Sequence, residues 1–211
     1  MAKLKIHTFG VTLDARFPKP VAFLDARTNE FAAKMSEIFQ LTPDQFRMRQ
    51  FDILYGYELK ATFLGSNARL ERTSTGIKLT LEGATSAEHR DSITDLLSTY
   101  CAAILPEVGP KLTFVITAHA TFESPESYVA FFKPYGRCPE VVSEGIIAEL
   151  KLPDWTEPVG VRFENSLAFK DAAFVVHSSE ISLPLDSSSL KRMWASFEES
   201  TKLFGLEISY S

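Results

Sequence analysis

From Phe9 to Phe17 apolar and polar residues alternate without a break, with Phe9, Val11, Leu13, Ala15 and Phe17 on one side and Gly10, Thr12, Asp14 and Arg16 on the other. A period of two is the signature of a half-buried strand. Past Pro18 and Pro20 the period changes: Leu24, Thr28, Phe31, Met35 and Ile38 recur at spacings of four and three, which is one stripe of a helix. Thr42-Pro43-Asp44-Gln45 is a capping-box sequence with Pro at the first helical position, and it predicts a short helical turn to about Met48. Tyr55 to Phe63 alternates again, a shorter strand follows from Ala68 to Thr73, and Ile77, Leu79 and Leu81 mark another beyond the turn Ser74-Thr75-Gly76. Thr85 to Glu88 is a second capping box, opening a helix whose Ile93, Leu97, Tyr100 and Ile104 share a face.

The second half follows the same plan. Phe114, Ile116, Ala118, Ala120 and Phe122 lie 105 positions after the apolar residues of the first strand, and Ser124-Pro125 caps a short helix through Phe132. Val159, Val161 and Phe163 lie 100 after Leu59, Ala61 and Phe63, while Phe174 and Val176 lie 97 after Ile77 and Leu79. Leu190, Trp194, Phe197 and Thr201 follow the earlier helical stripe, also by 97. The falling offset puts the shortening in loops, where it is absorbed most easily. Pro139 to Leu152 fits helix and strand equally, and Leu206 to Tyr210 reads as a last strand. The pattern predicts an α+β chain, a tandem repeat of β-α-β(3-4)-α units over residues 1–106 and 107–211, joined in one continuous domain or standing separately. Antiparallel sheets with helices packed on one face satisfy such a pattern. This element order resembles the duplicated saddle of the TATA-binding protein and the helix-grip ligand-binding folds. The resemblance is saddle-like or helix-grip-like in order alone and carries over no residue.

A length of 211 residues with 45% hydrophobic content supports a packed core, and no run approaches the roughly 18 apolar residues of a membrane span. The first residues alternate rather than forming a basic start and an apolar core, so a cytoplasmic location is the default expectation. Cys101 and Cys138 are too few for a disulfide framework. Residues 1–106 carry 13 Lys/Arg against 12 Asp/Glu, and residues 107–211 carry 9 against 15, so the second half repels phosphate backbones. A phosphate-binding Gly loop, a His-Glu-x-x-His zinc motif, a paired CxxC and a nucleophile elbow are all missing from the sequence. No cofactor or metal is therefore expected, and the 17 Phe read as packing residues.

Continuing the alternation through the second unit places Thr117, His119, Thr121, Arg162, Glu164 and His177 on its polar side. Two histidines on one face are a residue type suited to proton transfer or metal ligation, although bonding to neighbouring hydroxyls is the simpler role. Cys138 follows Arg137, which favours thiolate, and Tyr135 with Arg137 are residue types enriched at interface hot spots. Candidate ligand or partner contacts are therefore His119, His177, Thr117, Thr121, Tyr135, Arg137 and Cys138, with no residue assigned to catalysis. His7 and His89 read as structural or exposed. Arg69 and Arg72 with Tyr55 and Tyr57 would suit a basic aromatic surface, but the tyrosines fall on the apolar side. The expected function is a non-enzymatic binding module that meets a protein partner, or a second copy of itself, through a concave polar sheet or a strand edge. A sheet–helix pocket for a small ligand or an enzyme reaction is the alternative, and nucleic-acid binding is third.

Overall fold

The structure is a computed structural model. It describes residues 1–52, 54–105, 107–109, 111–133, 145–152, 155–182 and 187–210. The described residues form strands β1 (Ala2–Arg16), β2 (Phe46–Gln50), β3 (Tyr57–Phe63), β4 (Ala68–Thr73), β5 (Gly76–Ala84), β6 (Lys111–Phe122), β7 (Gly145–Leu150), β8 (Val159–Asn165), β9 (Ala172–Ser182) and β10 (Leu206–Tyr210). The helices are α1 (Thr28–Phe39), α2 (Ala87–Ile104), α3 (Pro125–Phe132) and α4 (Ser187–Leu203). All ten strands belong to one sheet in the order β2-β3-β4-β5-β1-β6-β9-β8-β7. Neighbours in that order are antiparallel, while β10 runs parallel to the first residues of β1. The architecture is thus α+β with a large, mainly antiparallel sheet.

The two strictly alternating segments lie side by side at the centre, with Leu13 opposite Phe114, Val11 opposite Ile116 and Phe9 opposite Ala118. Their apolar sides are almost fully buried and face the helices. Trp194 of α4 joins this layer: its ring meets Phe9 at 5.5 Å and Phe114 at 6.5 Å, both edge to face, and its indole N–H donates to Thr94 Oγ1 of α2 at 3.0 Å. At the flanks, Phe39 of α1 packs on Phe63 and Tyr100, and Phe131 and Phe132 of α3 pack on Phe122. All four helices therefore sit on one side of the sheet.

Several local expectations shift. Leu24 lies off the helical stripe, 82% exposed in a 3₁₀ turn before α1, because the chain enters α1 only at Thr28. Thr42 N–H does bond Gln45 Oε1 at 2.8 Å, but the turn ends at Gln45 and Phe46 to Gln50 become strand β2, since pairing with β3 satisfies the backbone of Arg47 and Arg49. The cap of α2 is Ser86, one residue after Thr85: its Oγ accepts from His89 N–H, while the His89 ring takes the Thr85 N–H at 3.2 Å, so no Thr85–Glu88 box forms. Of the ambiguous Pro139 to Leu152, the part from Gly145 to Leu150 is strand β7 and residues 139–144 lie outside the described residues.

The largest correction concerns β9. Ala173, Val175, His177, Ser179 and Ile181 face the helices, whereas Phe174 and Val176 lie on the other side. Both sides of this strand carry apolar residues, so alternation alone does not choose between them, and a slip of one residue exchanges every side chain. Val175, rather than Val176, takes the place beside β6 that Leu79 takes beside β1.

Candidate functional site

The side of the sheet turned away from the helices bears no helix among the described residues. At its centre lie Thr117, His119 and Thr121 of β6, all half-buried, flanked by β1 and β9. Thr117 stands over Gly10, where an added Cβ would come within 3.3 Å of its Oγ1 and within 2.7 Å of the Leu81 carbonyl oxygen. The glycine is what lets the central strands and the threonine approach this closely.

His119 Nδ1 lies 2.9 Å from Ser166 Oγ, in the loop between β8 and β9. That oxygen also accepts the N–H groups of Ala168 and Phe169, each at 3.2 Å. With two donors already on its oxygen, the hydroxyl gives its own proton to Nδ1, which leaves the proton of neutral His119 on Nε2. The Phe169 ring is thereby laid over the face, stacked on His7 at 4.9 Å and tilted against His119 at 5.9 Å, with Phe174 4.8 Å from His119. Burial under these rings holds the His119 imidazole below its ordinary pKa. Ser166 and His119 form a hydroxyl–imidazole pair, but the serine oxygen is committed to two backbone amides, so the arrangement fastens a loop rather than freeing a nucleophile.

The histidine that shares this face with His119 is His7. A bulge between Ile6 and Thr8 breaks the alternation of β1, and His7 Nε2 then bonds Thr121 Oγ1 at 2.8 Å. His177 is a correction to the expected pair: it is fully buried on the helix side, with Nε2 2.9 Å from Ser196 Oγ of α4 and its ring edge-on to Phe197 at 5.9 Å. Desolvation pulls its pKa down to about 4. Tyr135, Arg137 and Cys138 lie outside the described residues. The other cysteine, Cys101, is buried in α2, and desolvation pushes its thiol up to about 12. Among the described residues, no group of three or more His, Cys, Asp or Glu side chains is arranged to hold a metal ion.

Away from the histidines the face is charged and largely self-neutralising. Lys60 pairs with Glu58 at 2.7 Å and Glu71 at 3.5 Å, Arg69 with Glu82 at 3.9 Å, and Arg162 with Glu164 at 3.2 Å. Arg47 and Arg49 of β2 make no ion pair among the described residues.

Arg72 lies on the helix side instead, 2% exposed in a cleft of about 420 Å³, one strand position out of phase with Arg69. Its guanidinium sits 5.0 Å from the Phe17 ring and 4.7 Å from the Phe31 ring. It donates to Glu107 Oε2 and, at 2.7 Å, to the Ala26 carbonyl. With those bonds made, the group clamps the segment after α2 onto β4. Compared with known proteins, the chain matches no family model, no curated protein and no solved structure.

Proposed function

We propose that the protein is a non-enzymatic interaction module that meets a protein partner with the open, polar side of its sheet. The observation carrying this reading is the one-sided distribution of the helices: a ten-stranded sheet is covered on one side, and the described residues supply no helix to the other. A sheet side rich in Thr, His and paired charges is stable in water and also able to hydrogen-bond a partner.

Within the same reading, the chain is a tandem repeat whose two units meet at β1 and β6 and curve into a saddle. Support comes from the strand order, which reads β5-β4-β3-β2 outward on one side of the central pair and β9-β8-β7 on the other, so that β8 stands in the place of β4 and not, as the spacing of 100 predicts, in that of β3. In this reading the open side is the concave one. The test is site-directed photo-crosslinking in whole cells, with the reactive residue at Thr117 on the open side or at exposed Lys191 on α4. A discrete protein adduct from position 117 that is missing from position 191 is expected. Equal adducts from both, or none from 117, overturn the reading.

A further inference from the structure

We propose that the outer edge of β2 docks an extended protein segment in which acidic and apolar residues alternate, adding it to the sheet as a further strand. The proposal rests on the interaction-module reading and names the place and the chemistry of one contact. Phe51 N–H donates to the Gly56 carbonyl, so residues 51 and 56 are a hydrogen-bonded pair. Antiparallel pairs alternate, and with Arg49 opposite Glu58 and Arg47 opposite Lys60 those pairs are bonded as well. The N–H and C=O groups of Met48 and Gln50 then point away from β3. Phe46 N–H points the same way and is taken by the Pro43 carbonyl. Among the described residues no strand pairs with this edge.

Each side of the edge carries a concavity of different character. On the open side, Arg47 and Arg49 line a hollow of about 550 Å³ together with Asp44, Glu58 and Lys60, the last two already neutralising one another at 2.7 Å, so the hollow keeps an excess of positive charge. On the helix side, Met48 and Phe46 line a groove of about 360 Å³ against Ala32 and Ala33 of α1. Alternate side chains of an added strand would fall into these two hollows in turn, carboxylates toward the arginines and aliphatic groups toward Met48.

The charge pattern also decides against a second copy of the chain. Pairing Phe46-Arg47-Met48-Arg49-Gln50 antiparallel with itself sets Arg47 opposite Arg49 twice on one side, and like charges directly opposite are destabilising. A nucleic acid would neutralise the arginines but leave the groove at Ala32 and Met48 unfilled.

The experiment measures fluorescence anisotropy of the full chain with labelled peptides and one oligonucleotide. The probes are Thr-Val-Glu-Val-Glu-Val-Thr, the same peptide with Lys for Glu, a peptide of the same composition with the Glu and Val residues in separate blocks, and oligo-dT. Saturable, salt-sensitive binding of the alternating acidic peptide is expected. The double variant Arg47→Glu with Arg49→Glu should weaken it at least about tenfold and shift preference to the Lys peptide. Met48→Pro, which removes one outward N–H and leaves both arginines, should also weaken it. Thermal melts of both variants establish that they fold. The proposal is overturned if the alternating peptide does not bind, if the blocked peptide binds equally well, or if oligo-dT binds as tightly and loses affinity with the same arginines. A face-specific adduct at Thr117 that persists in such a case keeps the interaction reading and removes only this edge from it.

Discussion

Burying a histidine that must stay neutral ties the stability of the fold to pH in a calculable way. His177 is fully buried, and desolvation lowers its pKa from 6.5 to about 4. Between these values the unfolded chain takes up a proton that the folded chain refuses, so acid favours the unfolded state. Stability is fully present above pH 6.5 and is lost as pH falls toward 4. At roughly 1.4 kcal/mol per pH unit over that interval, the loss reaches about 3 kcal/mol. Carboxylates titrate nearby, so the useful quantity is the difference between the wild-type chain and His177→Gln, which retains a polar side chain toward Ser196 and has no proton to gain. Urea unfolding at pH 7, 5.5 and 4.5 and constant ionic strength supplies it. The wild type should lose stability relative to the variant as pH falls, by about 1.4 kcal/mol at pH 5.5. Parallel losses in the two proteins down to pH 4.5 would falsify the assignment of His177 as a buried neutral group.

Trp194→Ala removes the ring that joins Phe9, Phe114 and Thr94, and it should cost about 3–5 kcal/mol in urea unfolding. A loss below about 1 kcal/mol would mean that the two long helices hold to the sheet without it. Glu107→Ala removes the carboxylate partner of the buried Arg72 guanidinium and leaves it the Ala26 carbonyl and two rings, and it should cost about 1–3 kcal/mol. Adding Arg72→Met to that variant should recover part of the loss, and strict additivity would show that the two side chains do not act together. Ser166→Ala frees the loop from His119: proton NMR should show the His119 pKa rising toward its ordinary value as water reaches the ring, and an unchanged titration refutes the role given to the hydroxyl.

The sheet was legible wherever one side of a strand is polar and the other apolar. β3 and β6 bury every second residue throughout, as do β1 from Val11 to Ala15 and β5 from Ile77 to Leu81, and these buried positions follow from alternation alone. β9 does not carry it: Ala173 and Val175 on one side compete with Phe174 and Val176 on the other, and only pairing with β6 selects the buried set. The misassigned histidine is the same error, since His177 moves with that choice. His7 was hidden for a different reason. A bulge is a property of two strands together, and nothing within Ile6-His7-Thr8 announces that the partner strand has one residue fewer. Strand β2 was obscured by the capping box before it, whose hydrogen bonds are real but span a single turn. Arg72 illustrates how charge misleads, because its partner Glu107 is 35 positions away and the rings beside it are Phe17, just past β1, and Phe31 of α1.

The placement of β10 sets a timetable for the molecule. Ala2 pairs with Leu206 and Ile6 with Tyr210, while the other flank of the same β1 segment is held by Leu4 opposite Phe122. On a ribosome, the opening residues of β1 therefore have no such neighbour until Leu206 to Tyr210 have been made. Until then the flank of β1 that β10 will cover stays open, and this pairing between distant residues is among the last the sheet can form.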